Sequence, residues 1–428
     1  MGCSRDGRRR DRTRNTARGR PALKINALTQ GDRALVYMER YVDENTRTYS
    51  PVASRNEAPQ RYQPRSGPET FDLVTVSAPR ARVSIFQADP VPSLLQHYVH
   101  PDEVLFAVHP DTWDDPDVEH IGEIRAFPRG ETIQVAATAS TRTVFATGSL
   151  GDVPRHFIKL HYPRNISRFN RRLRRKNICN SVAVTRDLAD FRFEKFAYLP
   201  DVLGFTFGDE DTAWGYLVRE AAPRPFRESA YLIPCFALYG CDLRNPADPP
   251  LLVQLIDRLG TDPESFVTEQ IMAPIIECWS RVVRERGILL ESHAQNTLLE
   301  LDQNFIPARI VHRDFDVWVD PETRRRAGLD SPFWQVGIDS GRSTEQHYSL
   351  VYDHFIGREF LDYLLAVVHR FYGVREGSIR GRVKEVFHRS FSDSRNFFPP
   401  RTTFYFSNEP NREGEMTLVD TQQPPQWR

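Results

Sequence analysis

Apolar positions along this 428-residue chain follow two different periods. Between residues 71 and 160 they come in short, largely alternating runs, the pattern of half-buried strands. Residues 71–76, 81–86, 104–108, 132–137, 143–146 and 156–160 read as strands, with a short helix over 91–99. Further on, 191–199, 214–219 and 231–238 also read as strands, and a helix is expected from Ile166 through Phe169 and Leu173. Past residue 250 the period lengthens to that of a helix. An amphipathic segment covers 250–259, and Phe266, Ile271, Ile275, Ile276, Trp279 and Val283 then share one helix face. Pro263 opens that helix, Pro274 should kink or divide it, and Gly287 ends it. Leu350, Val351, Phe355, Phe360, Leu364 and Val368 repeat the pattern over 347–372. The first 70 residues show no sustained period beyond a turn or two of helix at 35–41, and 51–68 has linker composition. The reading is an α+β chain in three parts: an arm and linker over 1–70, a β-rich lobe over 71–190 and a mixed, largely helical lobe over 191–428.

Charge adds a local detail rather than a partner. Lys plus Arg and Asp plus Glu both number 57, so the net charge is zero. Residues 1–24 hold eight Arg and one Lys against two Asp, which reads as a solvated arm rather than a nucleic-acid or membrane contact. The start Met1-Gly2-Cys3-Ser4 matches an acylation signal only superficially. Five scattered cysteines with no C-x-x-C pair suit neither a zinc framework nor a disulfide scaffold, and point to a reducing compartment. No apolar run reaches bilayer length, so a cytoplasmic protein without membrane contact is expected.

The chemistry concentrates in Glu291-Ser292-His293-Ala294-Gln295-Asn296, directly after the apolar run Ile288-Leu289-Leu290. Residues 297–299 and 306–311 flank the turn Asp302-Gln303-Asn304 and read as a hairpin. Folding it brings Arg313-Asp314 back to the level of the polar cluster. Carboxylate and amide oxygens of that kind suit Mg²⁺ held together with substrate phosphates. On a strand, Glu291, His293 and Gln295 would face one way and Asn296 the other, so a bend is needed for Asn296 to join them. The plain alternative is a solvated turn. Upstream, Ser140-Thr141-Arg142-Thr143 offers hydroxyls and a guanidinium at a strand–turn–strand junction, and Lys159 follows on the next strand beside Phe157 and His161. Both can hold phosphate. Arg168, Arg171, Arg172, Arg174, Arg175 and Lys176 form either a solvated face or an anion-binding one. His347, His354, His369 and His388 are assigned no chemistry.

Taken in order, His109-Pro110-x-x-Trp113, S-x-R-T at 140–143, Lys159-Leu160, Ile166-Ser167, Arg171 twelve residues after Lys159, E-x-H-x-Q-N at 291–296 and Arg313-Asp314 resemble the NRPS-independent siderophore synthetases, the IucA/IucC family. The resemblance covers roughly residues 104–320. It implies a multi-lobed fold in which 71–190 binds ATP phosphates and 191–428 forms a palm with the carboxylate and Mg²⁺ site, the N-terminal lobe being truncated. It also implies an ATP-dependent carboxylate–amine or carboxylate–alcohol ligase of siderophore biosynthesis and iron acquisition. Such an enzyme activates a citrate-like polycarboxylate as an acyl adenylate and releases AMP and pyrophosphate. A homodimer is compatible with it. By the same resemblance, Ser140, Arg142, Thr143 and Lys159 would hold the phosphates, with Gln295 and Asp314 near the nucleotide. Glu291, Asn296 and Asp314 would hold Mg²⁺. Arg171 and His293 would grip the acid, and His293, Arg171 and Lys159 would serve catalysis. The chain departs from the family pattern at three points. It lacks the H-P-x-H-P-x-x-K segment, has Val317 where R-D-x-x-G places Gly, and has Arg401 where a Lys is common. A divergent, inactive member is therefore one alternative. A kinase-like phosphotransferase, suggested by His312-Arg313-Asp314, and a basic binding protein are others.

Overall fold

The computed structural model describes residues 24, 25, 28, 32–43, 56–148, 151–167, 169–208, 210, 212–228, 230–329, 343–407 and 416–428. The Arg-rich start, part of the expected linker, and Arg168 lie outside the described residues. In chain order the strands are β1 (Phe71–Pro79), β2 (Val83–Gln87), β3 (Glu103–Val108), β4 (Ile133–Ala137), β5 (Thr143–Ala146) and β6 (His156–Leu160), then β7 (Tyr162–Ile166), β8 (Phe169–Arg171) and β9 (Phe196–Tyr198). They continue with β10 (Asp201–Phe207), β11 (Trp214–Glu220), β12 (Tyr231–Pro234), β13 (Ile288–Leu289), β14 (Thr297–Leu301), β15 (Pro307–His312), β16 (Trp318–Val319), β17 (Phe404–Phe406) and β18 (Leu418–Asp420).

Eight strands form one sheet in the order β2-β10-β11-β6-β5-β4-β1-β3, with every neighbouring pair antiparallel. Alternation along β6 divides its side chains as the sequence suggests. Ile158 and Leu160 enter the core with Leu73, Val76, Phe205 and Trp214. Phe157 turns the other way and packs with Phe145, Leu298 and Val311, which joins this sheet to the second one. That second sheet runs β12-β14-β15-β9, and β15 pairs in parallel with β9.

Three elements depart from the sequence expectation. Tyr162–Ile166 and Phe169–Arg171 pair as the β7–β8 hairpin where a helix was expected. Pro163 disfavours helical backbone at Tyr162, and Ser167 turns the chain with φ 59°. The helix begins only at Arg175, where Asn177 accepts the Arg174 N–H at 3.2 Å. Strand β10, absent from the sequence expectation, is buried at all seven positions, and its Leu203, Phe205 and Phe207 alternate with Gly204 and Thr206. Residues Asp32–Tyr41, within the expected arm, form a helix with Leu35 and Met38 in the core.

Helical packing dominates the second lobe. Pro274 is accommodated without a break: the backbone widens into a π-helix over Phe266–Met272 and then continues regularly over Ala273–Arg286. Gly287 closes that helix at φ 63°, where a Cβ would lie 2.7 Å from the Asp320 carbonyl oxygen. The chain can therefore turn sharply into β13, which leads to Glu291. A second long helix runs through Thr344–Ser349, Leu350–Leu361 and Asp362–Tyr372. No described helix is long and apolar enough to cross a membrane.

Candidate active site

Lys159 stands near the middle of the large sheet, opposite Thr143 on β5 and Leu217 on β11. Its side chain is 3 % exposed and forms an ion pair with Asp314, which lies 155 positions further along the chain. Arg219 lies diagonally across on the same face of β11. It donates from Nε to Asp201 at 2.7 Å and from Nη2 at 3.2 Å, and Nη2 also faces Asp314 at 3.7 Å. Asp314 follows β15 directly and has left-handed backbone, φ 71°, which Asp tolerates better than most residues. Burial alone would raise its pKa. Lys159, Arg219 and Arg142 overrule burial and hold the carboxyl well below the usual carboxylate range.

Arg142 comes from the β4–β5 loop. Thr138 and Ser140 fold that loop: the Thr141 N–H reaches the Thr138 carbonyl at 2.8 Å and the Thr143 N–H reaches Ser140 Oγ at 3.2 Å. The Ser140 hydroxyl thus shapes the turn that aims Arg142. Nη1 of Arg142 donates to the Arg171 carbonyl at 2.9 Å, joining the loop to β8. Burial lowers the pKa of Arg142, while the nearby Asp314 and Asp316 oppose that shift.

The polar cluster after β13 is a turn, not a strand. N–H groups of Asn296 and Thr297 both reach the His293 carbonyl at 3.0 Å. The chain bends here, and the Arg313 N–H fixes the bend to the Asn296 carbonyl at 3.0 Å. Burial, reinforced by Asp314 and Asp316, pushes the Glu291 carboxyl up to about 8, against the pull of Lys159 and Arg171. Asn177 Nδ2 holds Asp316 at 2.9 Å.

The other side of the site is aromatic. His293 meets Phe355 at 5.7 Å between ring centroids, Phe355 meets Phe406 at 6.4 Å, and Phe406 meets Phe169 at 5.4 Å. The Arg171 guanidinium lies 6.0 Å over Phe169. Nδ1 of His293 accepts the Gln295 N–H at 3.2 Å, so the neutral ring carries its proton on Nε2. Arg171 and His293 therefore sit at the two ends of one aromatic chain.

Of the residues singled out from the sequence, Arg142, Lys159, Arg171, Glu291 and Asp314 share one electrostatic cluster. Ser140 and Thr143 shape the loop, Asn296 joins through its backbone, and Gln295 offers its carbonyl to Arg313 at 2.9 and 2.6 Å. His312 belongs elsewhere: it stacks on Phe196, and burial lowers its pKa to about 3. Arg219, Asp201 and Asp316 escaped the sequence reading. Arg219 and Asp201 carry no motif, whereas Asp316, two residues after Asp314, was the findable one. Among the described residues, no group of three His, Cys, Asp or Glu side chains forms a metal-ligand cluster.

No protein-family profile matches the chain, and no curated protein matches it in sequence. Solved structures do match in shape. ATP-bound aerobactin synthetase IucA from a hypervirulent pathotype of Klebsiella pneumoniae superposes with a TM-score of 0.62 at 14 % identity, over 84 % of this chain and 71 % of that one. Petrobactin biosynthesis protein AsbB from Bacillus anthracis gives 0.60 at 16 %, over 82 % and 68 %. Aerobactin synthetase IucC from the same Klebsiella source gives 0.59 at 18 %, over 81 % and 69 %. The chain has the fold of these siderophore synthetases.

Proposed function

We propose that this chain is an ATP-dependent ligase of siderophore type, which adenylates a carboxylate of a citrate-like acid and passes the acyl group to an amine or alcohol. The observation that carries the reading is the Lys159–Asp314 pair. It joins the strand beside the S-x-R-T loop to the R-D step beside E-x-H-x-Q-N, two regions far apart in sequence. Attack of a carboxylate on the α-phosphorus brings anions together, and prepositioned cations must neutralise the charge that develops. Arg142, Lys159 and Arg219 are such cations. Arg171 and His293, set apart on the aromatic side, suit the carboxylates of the acid.

The donor set fits Mg²⁺ of the substrate-bridging kind. Burial first, and the neighbouring Asp314 and Asp316 second, favour the protonated Glu291 carboxyl, an arrangement that a cation would relieve. An ion of this kind takes one or two carboxylates plus nucleotide phosphates and needs no closed cage of protein oxygens. Glu291, Asp314 and the Asn296 amide would be its protein ligands, and the ion would supply charge neutralisation at the phosphates.

Pyrophosphate release tests the reading, with hydroxylamine as the acceptor and citrate and related polycarboxylates screened as the acid. AMP and pyrophosphate are the expected products. ADP would turn the assignment toward a phosphotransferase, and no acid-dependent turnover across the screen would sink it.

A further inference from the structure

A glutamate ahead of the first strand reaches this site from behind. Glu39 lies on the Asp32–Tyr41 helix, and its side chain is 1 % exposed. One carboxylate oxygen accepts the N–H of Ala139, the residue before Ser140, at 3.3 Å. The other pairs with Arg313 Nη2 at 2.7 Å. Arg313 in turn donates from Nε and Nη2 to the Gln295 carbonyl. A single buried carboxylate thus ties the S-x-R-T loop to the R-D step and to the turn at 293–296. A second brace comes from the same part of the chain, where Asn56 Nδ2 donates to Thr141 Oγ1 at 3.2 Å, the loop residue with φ 64°.

A neutral acceptor would satisfy the Ala139 N–H. Burying a charge there instead carries a desolvation penalty, which the facing guanidinium offsets. What the charge adds is a simultaneous hold on elements from two lobes. The helix is seated by other means: Leu35 and Met38 are buried, and Tyr37 Oη reaches both Asp242 carboxylate oxygens at 3.0 Å. Losing the Glu39 carboxylate therefore leaves the helix in place.

We propose that Glu39 is a positioning residue that sets the S-x-R-T loop at its height relative to Asp314, by holding the Ala139 N–H and Arg313 on one carboxylate. The inference rests on the reading of this loop as a phosphate cradle, and Glu39 itself touches no reacting group.

Hydrogen–deuterium exchange and steady-state kinetics on the full chain test it. In Glu39→Ala, amide exchange across 138–143 should quicken by about tenfold or more, with the remainder of the sheet unchanged. KM for ATP should rise about tenfold while KM for the acid stays within about twofold, because only the phosphate side has lost its alignment. Glu39→Gln keeps an acceptor for Ala139 but not the charge facing Arg313. It should leave 138–143 protected and loosen 295–297. Wild-type exchange in both segments of both variants would overturn the proposal, and so would faster exchange spread evenly over the chain. Should Glu39→Ala not fold, the contrast between the two segments in Glu39→Gln decides alone. The exchange readout needs no turnover, so a chain that releases no pyrophosphate defeats the ligase reading without deciding this one.

Discussion

The two walls of the site are built in opposite ways. The cationic wall stands on a sheet: Lys159 and Arg219 project from paired strands, and Arg142 comes from a turn between two more. The places of Lys159 and Arg219 follow from strand register, which a one-residue slip would invert. The acidic wall stands on irregular backbone. Glu291 lies in a loop after a two-residue strand, and Asp314 has a positive φ just past the end of β15. Fixed cations on regular structure and carboxylates on turns make one wall a preset template and the other an adjustable partner. This division suits a reaction in which phosphates must be held still while an acid and then an acceptor come and go.

The largest effect expected from breaking the comparison is at the ion pair joining the walls. Asp314→Ala leaves Lys159 and Arg219 buried without that partner. It should destabilise the fold by about 3–5 kcal/mol in urea denaturation and abolish pyrophosphate release. Arg142→Ala removes one cation proposed to face the phosphates, but no strand. It should lower kcat/KM for ATP by about 10²–10³-fold, with a denaturation midpoint close to wild type. Equal stability loss in the two variants would erase the distinction between the walls.

Acidity sharpens the contrast. The folded-state value of Glu291 is raised to about 8 from an ordinary 4.5, so between those pH values the folded chain holds a proton that the unfolded chain has released. The stability contribution from this group is therefore full below about pH 4.5 and declines as pH rises toward 8. Glu291→Gln should flatten that part of a stability–pH profile measured by denaturant titration, and an unchanged slope would show that Glu291 is not the group responsible. The smallest effect is expected on the aromatic side. Phe406→Ala breaks the chain between Phe169 and Phe355 and should raise KM for the acid about two- to tenfold, in line with about 0.5–1.5 kcal/mol for an aromatic pair. KM for ATP should not move.

What the sequence disclosed follows the same division. Strands of the large sheet were legible from alternation, the fully buried β5 and β6 among them, and so was the placement of Lys159 opposite the Ile158 and Leu160 core face. The β14–β15 hairpin was legible too, and it brought Asp314 beside the 291–296 cluster. Strand β10 was missed although the equally buried β6 and β11 were read, and Asp201 and the partner role of Arg219 were hidden with it. The basic run 164–176 misled in another way. Its Ile166, Phe169 and Leu173 have helical spacing, but Pro163 and the turn at Ser167 divert the chain into a hairpin. Glu39 was invisible because no local pattern marks a side chain whose two partners lie 100 and 274 positions away.

Strand β6 occupies the fourth place in a sheet of eight, with neighbours bonded along both edges. A side chain rooted there cannot travel without unzipping the lobe, so Lys159 is a fixed post. In the proposed ligase, opening and closing would fall to what faces it: the 291–296 bend, the left-handed step at Asp314 and the helix bearing Phe355. Rates of substrate entry and product exit should accordingly respond to changes in those three places and be indifferent to conservative repacking beneath the post.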